Sequence, residues 1–254
     1  MGNMGNIEII EVDETNLSKY GFLCNTNKKH PGYQAKFAWL TEQFKNGLII
    51  RLLQVDGKTQ GYIEAIPGEF AWRPIEAKGY MFIQCIYTKA KKLRQLGYAS
   101  KLLKEIEEYA QEKGMKGVVT VTSEGSWLAG KSIFIKNSFK EIESYDRFNL
   151  MVHQFHKNSL PKFKINEEML INYKGLNIIY SAQCPYNVSV LPDLQKTADD
   201  LNLSLTLHEI KTPEMAQQVP SLYGTFVLIH NGKIFADHYI SKTRFRNILT
   251  KEIK

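Results

Sequence analysis

Arg94, Gly97 and Ala99 stand three and two residues apart in RQLGYAS, at the head of a stretch patterned as a helix. The first turn of a helix leaves N–H groups without intrahelical acceptors and carries the positive end of the helix dipole, so it is a ready site for phosphate. Gly97 lets the backbone turn and approach a ligand closely, and Ala99 keeps side-chain bulk away from it. Arg94, with Lys89, Lys91 and Lys92 just ahead, adds charge-assisted contacts. The loop Leu93, Arg94, Gln95, Leu96, Gly97, Tyr98, Ala99 and Ser100 therefore suits a pyrophosphate. It is not a Walker loop, which needs Gly-Lys-Ser/Thr, and it lacks the third glycine of the dinucleotide fingerprint. A basic turn before an ordinary helix would carry the same residues, so the surrounding elements must decide.

Those elements begin with a strand, IEIIEV at residues 7–12. A short helix capped by Asn16 or Ser18 runs through Leu23, and a longer one opens at His30-Pro31 and closes at Gly47. In the longer helix Tyr33, Phe37, Leu40 and Phe44 recur at helical spacing. LIIRLLQV and TQGYIEAI then flank Asp56-Gly57, whose turn positions both tolerate positive φ, which signals a hairpin. YMFIQCIYT is apolar enough for a central strand. The loop and its helix follow, with Ala99, Leu102, Leu103, Ile106 and Ala110 on one face and Gly114 as the stop. GVVTVTS reads as a buried strand, GKSIFIKNSF as a short helix and turn, and RFNLMVHQF as a further strand.

From residue 158 the texture becomes polar and weakly periodic, and 158–174 reads as a linker. Beyond it comes a β-α-β-α-β-β-α series: LNIIYS, a helix opened by CPYN, LSLTLHEI, a short helix around residues 213–219, GTFVLIH and KIFADHYI about Asn231-Gly232, and a last helix. The division expected is 1–157, linker 158–174, and 175–254.

The chain has 254 residues, is 43 % hydrophobic and 23 % charged, and carries a net charge of +7, the totals of a globular protein with room for an anionic ligand. No apolar run approaches a membrane span, and residues 1–6 lack the basic and apolar segments of a signal peptide. A cytoplasmic location without a membrane partner follows as the expectation. The cations are dispersed apart from the cluster at 89–94, and no reading motif accompanies them, which argues against nucleic acid. Cys24, Cys85 and Cys184 are not at metal-ligand spacing with one another or with a His, so no metal is expected. An odd number of cysteines in a cytoplasmic chain implies reduced thiols.

Taken in order (hairpin, long apolar strand, Arg-x-x-Gly-x-Ala loop, helix, strand, IFIKNSF), the first 155 or so residues resemble the GCN5-related N-acetyltransferase (GNAT) family. The family's Gln/Arg-x-x-Gly-x-Gly/Ala is matched by Arg94, Gly97 and Ala99, and IFIKNSF resembles its Phe-Tyr-x-Lys-x-Gly-Phe segment, which brings in Phe134 and Lys136. The resemblance implies a mixed central sheet flanked by helices, in an α/β (α+β) class. It also implies acetyl-CoA as co-substrate, with its pyrophosphate on the loop and its pantetheine arm along the backbone of Cys85, Ile86 and Tyr87. It implies a small-molecule or peptide amine as acceptor, and it admits a homodimer.

Three departures stand out. The tyrosine associated with protonating the leaving thiolate is Phe134 here, the common Asn after the next strand falls near Ser126-Trp127, and the TKAKKL link is long. Transfer to an amine requires that amine to be deprotonated, directly or through water. Glu64 and Glu124 are the carboxylates placed for this, ahead of Glu69 and Glu76, and each also reads as a solvated surface residue. Cys85 reads either as strand core or as a thiol beside the thioester, and Trp72 and Tyr87 either as core or as lining of an acceptor pocket.

The second half resembles a thioredoxin-like domain of the YoaP type, with Cys184 at a helix start. Asn187 stands where a dithiol enzyme has its second cysteine, and Gly224-Thr225 where it has a cis-proline, so dithiol chemistry is not expected. The chain thus reads as an N-acetyltransferase. The alternatives are a coenzyme A-binding sensor or scaffold without turnover, and a monothiol redox protein acting through Cys184.

Overall fold

The computed structural model describes residues 6–89 and 96–253. They divide into two compact units. The first takes its described residues from Met1–Thr26, Leu40–Ala71 and Glu76–Phe163, and the second from Asn27–Trp39, Trp72–Ile75 and Lys164–Lys254. The chain therefore passes between units inside helix α2 (Pro31–Phe44) and around residues 72–75, as well as near residue 160.

In the first unit a seven-stranded sheet runs β1 (Ile7–Val12), β2 (Ile49–Val55), β3 (Lys58–Pro67), β5 (Met81–Thr88), β6 (Gly117–Ser123), β8 (Phe148–Gln154), β7 (Lys140–Tyr145). Every neighbouring pair is antiparallel except β5 with β6, which is parallel. The β2–β3 hairpin turns at Asp56 and Gly57 with φ of 49° and 73°, the geometry whose twist matches the flanking strands.

Alternation along the strands divides their side chains between two faces. Ile49, Leu53, Ile63, Ala65, Met81 and Ile83 join Leu102, Leu103, Ile106 and Ala110 of helix α3 (Tyr98–Glu112) in one core. Gly61 permits this approach, because a Cβ there would meet Leu102 Cδ1 at 2.9 Å. The opposite face presents Ile50, Leu52, Tyr62, Glu64 and Ile66, all buried.

Two elements differ from the sequence reading. KEIESY forms the edge strand β7 with a bulge against β8, and its Glu-Ile-Glu composition hides the alternation that would announce it. Helix α1 (Leu17–Tyr20) stops before Gly21, whose φ is 62°, and Asn16 spends its side chain on Asp13 N and Glu11 O instead of capping. The stretch 158–174 is also more structured than a linker. It carries strand β9 (Lys162–Phe163) and a 3₁₀ turn over Glu167–Asn172. Strand β4 (Ile75–Glu76) is equally short, and in the first unit Glu76 and Lys162 form an ion pair at 3.1 Å.

The second unit has a four-stranded sheet in the order β11 (Leu205–Glu209), β10 (Leu176–Tyr180), β12 (Phe226–His230), β13 (Lys233–Ala236). Its one parallel pair is β10 with β11. Helices α5 (Pro185–Asp199), α6 (Pro213–Ala216) and α7 (Lys242–Asn247) complete the β-α-β-α-β-β-α series.

Candidate functional site

Strand β5 pairs with β3 along its whole length but with β6 only at Met81, Phe82 and Ile83. The last contact is tightened by the Thr120 hydroxyl, which donates to the Ile83 carbonyl at 3.1 Å. Beyond Ile83 the two strands part, and among the described residues the ladder between them does not extend along Gln84–Thr88 and Val121–Ser123.

The parting begins at a β-bulge. Ala65 opposes Ile83 and Glu64 opposes Cys85, so Gln84 is the extra residue. A bulge bends its strand and re-aims side chains. Here Gln84 and Cys85 both come to the face of Glu64, where Gln84 Nε2 donates to Glu64 Oε1 at 3.3 Å. Tyr62, two residues before Glu64 on the same face, donates its phenol to Glu64 Oε2. Burial, then the Glu64 carboxylate, then the thiols of Cys24 and Cys85 push the Tyr62 phenol well above its ordinary pKa, so it stays a donor.

Glu64 is 0 % exposed, which sets aside its reading as a solvated surface carboxylate. Cys85 and Ile86 are half-buried, and Tyr87 is 45 % exposed. Trp72 is buried edge-on to Trp39 at 5.1 Å inside the second unit, a core position.

Past β5 the chain reaches the loop. Leu93, Arg94 and Gln95, with Lys91 and Lys92, lie outside the described residues. Leu96 is exposed, and Gly97 is the N-cap of α3 with φ of 74°, the left-handed conformation that glycine adopts without strain. A Cβ at Gly97 would have no heavy atom within 4 Å, so the space before the helix is open. Tyr98 is buried, Ala99 and Ser100 are half-buried, and the first-turn N–H groups lack intrahelical acceptors.

Helix α4 (Ser132–Lys136) braces this end of α3. Asn137 Nδ2 donates to Ser100 Oγ at 3.1 Å, while Phe134 shares the α3 core and packs edge-on to Phe139 at 5.4 Å. Lys136 is exposed. Glu124 is exposed too, and its Oε1 accepts from the backbone N–H of Lys131 at 3.3 Å, at the start of α4. The two carboxylates singled out in the sequence therefore occupy opposite settings. Glu64 sits in a buried cradle beside the parting, and Glu124 tethers a loop.

Sequence reasoning missed Tyr62, Gln84 and Cys24. The period of two in GYIEAI places Tyr62 and Glu64 on one face and was available for Tyr62. The bulge that turns Gln84 toward Glu64 has no sequence signal.

In the second unit Cys184 is the N-cap of α5. The buried Lys36 donates Nζ to the carbonyl of Gln183, immediately before it, at 2.7 Å. Asn187 Nδ2 donates to the Thr225 carbonyl at 2.7 Å. Among the described residues none of the three cysteines is in a disulfide, no cluster of metal-ligating side chains occurs, and no helix is long and apolar enough to cross a membrane.

Residues 13–126 match the model of the acetyltransferase (GNAT) family, and residues 205–247 match a YoaP-like model. A curated relative, the uncharacterized N-acetyltransferase YoaP of Bacillus subtilis (strain 168), is 27 % identical over 249 residues, covering 94 % of this chain and 97 % of the relative. The paia N-acetyltransferase of Thermoplasma acidophilum, solved with coenzyme A, is 15 % identical with a TM-score of 0.44, over 59 % of this chain and 99 % of that one. AAC(6')-Iy, solved with a bisubstrate analogue, CoA-S-monomethyl-acetylneamine, is 17 % identical with a TM-score of 0.45, over 61 % of this chain and 100 % of that one. The chain is thus similar to the GNAT acetyltransferases over residues 13–126 and, C-terminal to that stretch, to YoaP-like domains over residues 205–247.

Proposed function

We propose that this chain is an acetyl-CoA-dependent N-acetyltransferase acting on an amine, either a small molecule or a peptide. The observation that carries the reading is the parting of β5 from β6 at Gln84, which leaves strand edge beside Glu64 and Cys85 and leads toward the open N-terminus of α3. That edge suits an extended amide-bearing chain, and the first turn of α3 suits a pyrophosphate. In this reading the backbone of Cys85, Ile86 and Tyr87 takes the pantetheine arm. The N–H groups from Gly97 to Ser100, with Arg94 from the loop Leu93–Leu96, take the phosphates. Phe134 packs behind them, and Lys136 adds charge nearby.

Acetyl-CoA supplies an activated thioester. Glu64 takes the proton that the amine sheds as nitrogen bonds the acetyl carbon, and the electron pair of the broken C–S bond leaves with sulfur. Its burial requires that proton to arrive through an intervening group or water. Glu124 is the lesser candidate because its carboxylate already tethers Lys131 N. Cys85, directly across from Glu64, is the half-buried member of the cluster. With no phenol at Phe134, the thiolate is protonated by water or by a neighbouring thiol. A thiol pKa near the ordinary value of about 8.5 makes that undemanding.

The strand order β11-β10-β12-β13 with its single parallel pair supports reading the C-terminal series as a thioredoxin-like accessory domain. The domain limits 1–157 and 175–254, a cytoplasmic setting and a homodimer remain part of the same proposal. Release of free coenzyme A over a panel of amines and lysyl peptides tests the activity. Binding without release under every acceptor would overturn it in favour of a coenzyme A sensor.

A further inference from the structure

The carboxylate of Glu64 is wholly buried, yet both of its oxygens are held by neutral donors from two strands. We propose that Tyr62 is a positioning residue, whose phenol fixes Glu64 Oε2 and keeps the carboxylate in its charged, proton-accepting form at the point where β5 leaves β6. This inference rests on the reading of Glu64 as proton acceptor.

Burial favours the neutral acid, and an acid cannot take a proton from an amine. Hydrogen bonds to the ionised form work in the other direction. Titratable groups at this place in the first unit include Tyr62 on the same strand as Glu64, Cys85 across from it on β5, and Cys24 in the segment after α1, which acts on Tyr62. Each would be negative if ionised, so none of them stabilises the carboxylate by charge. The phenol of Tyr62 and the amide of Gln84 do so by donation. Gln84 reaches Oε1 only because the bulge turns it to this face. Tyr62 reaches Oε2 because residues two apart on a strand share a face. Tyr62 is itself fully buried and stays protonated, so its donation persists throughout the range in which an amine is acetylated.

The test is a titration of Glu64 by NMR on full-length protein labelled at glutamate Cδ, with the signal assigned by its loss in Glu64→Gln. Tyr62→Phe keeps the ring, and a single cooperative melting transition, lowered by the lost hydrogen bond, checks that it folds. The substitution should raise the Glu64 midpoint by about one pH unit or more, the scale of a hydrogen bond to a charged group. Gln84→Leu should raise it in the same direction, and serves as the second variant if Tyr62→Phe does not fold. Midpoints unmoved in the variants that fold would overturn the inference. The titration needs no acceptor amine, so its result stands apart from the activity. If Glu64→Gln abolishes transfer while the Tyr62→Phe midpoint is unmoved, the role of Tyr62 alone falls. If Glu64→Gln leaves transfer unchanged, the proton-acceptor reading falls and takes this inference with it.

Discussion

Glu64 on β3 lies directly across the ladder from Cys85 on β5, two residues past the last position at which β5 still pairs with β6. Opposed residues in an antiparallel pair hold their Cβ atoms about 5 Å apart. The buried carboxylate and the half-buried thiol therefore meet where the strand edge becomes available.

Replacement of the two candidate carboxylates should separate their roles. Glu64→Gln keeps the shape and loses the base, and should lower turnover by about 10²-fold or more. Glu124→Gln should change turnover little, because an amide oxygen can still accept from Lys131 N. Steady-state coenzyme A release by the two variants checks this, and equal effects would remove the distinction.

At the loop, Gly97→Asp should abolish acetyl-CoA binding. The added carboxylate would enter the open space before α3 and repel the phosphates, and φ of 74° would strain a non-glycine residue. Calorimetry showing wild-type affinity would remove the phosphate assignment.

Phe134→Tyr should not restore a proton donor. Phe134 is 1 % exposed in the core shared with α3, so a new hydroxyl has no route to a ligand without breaking that packing. Turnover should change less than tenfold, while stability should fall by about 1–3 kcal/mol if the hydroxyl stays buried and unpaired. Urea denaturation and coenzyme A release on the same preparation test both halves.

Cys184 should alkylate as a single thiol with a midpoint below the ordinary thiol value, because it caps α5 and faces the positive end of its dipole. Asn187 cannot resolve a mixed disulfide, so an adduct should persist until an outside thiol removes it. Rate against pH in a Cys24→Ser, Cys85→Ser background is the measurement. A midpoint at or above about 8.5 would make the thiol a structural remnant.

Stability of the second unit should decline in mild acid. Burial lowers the pKa of His208, whose Nε2 lies 2.9 Å from Asn177 Oδ1. With the folded value depressed, the folded state binds fewer protons. Its contribution is therefore present above the unfolded value of about 6.5 and is lost as pH falls through the folded one. His208→Gln should flatten that dependence in urea titrations between pH 7 and 5.

The sequence by itself determined the local structure and the family pattern. Asp56-Gly57 has to turn, GVVTVTS has to be buried, and Arg94-x-x-Gly97-x-Ala99 has to open a helix, because each follows from conformational preference or from a period of two or 3.6 residues. Glu64 was visible as a carboxylate in an apolar strand, but its burial was not, because solvation depends on what covers a face. The bulge at Gln84 was also invisible, since register belongs to a pair of strands and neither strand encodes it alone. The same limit hid β7, whose pairing with β8 outweighs a polar composition. Only tertiary structure put Tyr62, Glu64, Gln84 and Cys85 together, because their meeting depends on long-range pairing between β3 and a β5 that has begun to leave β6.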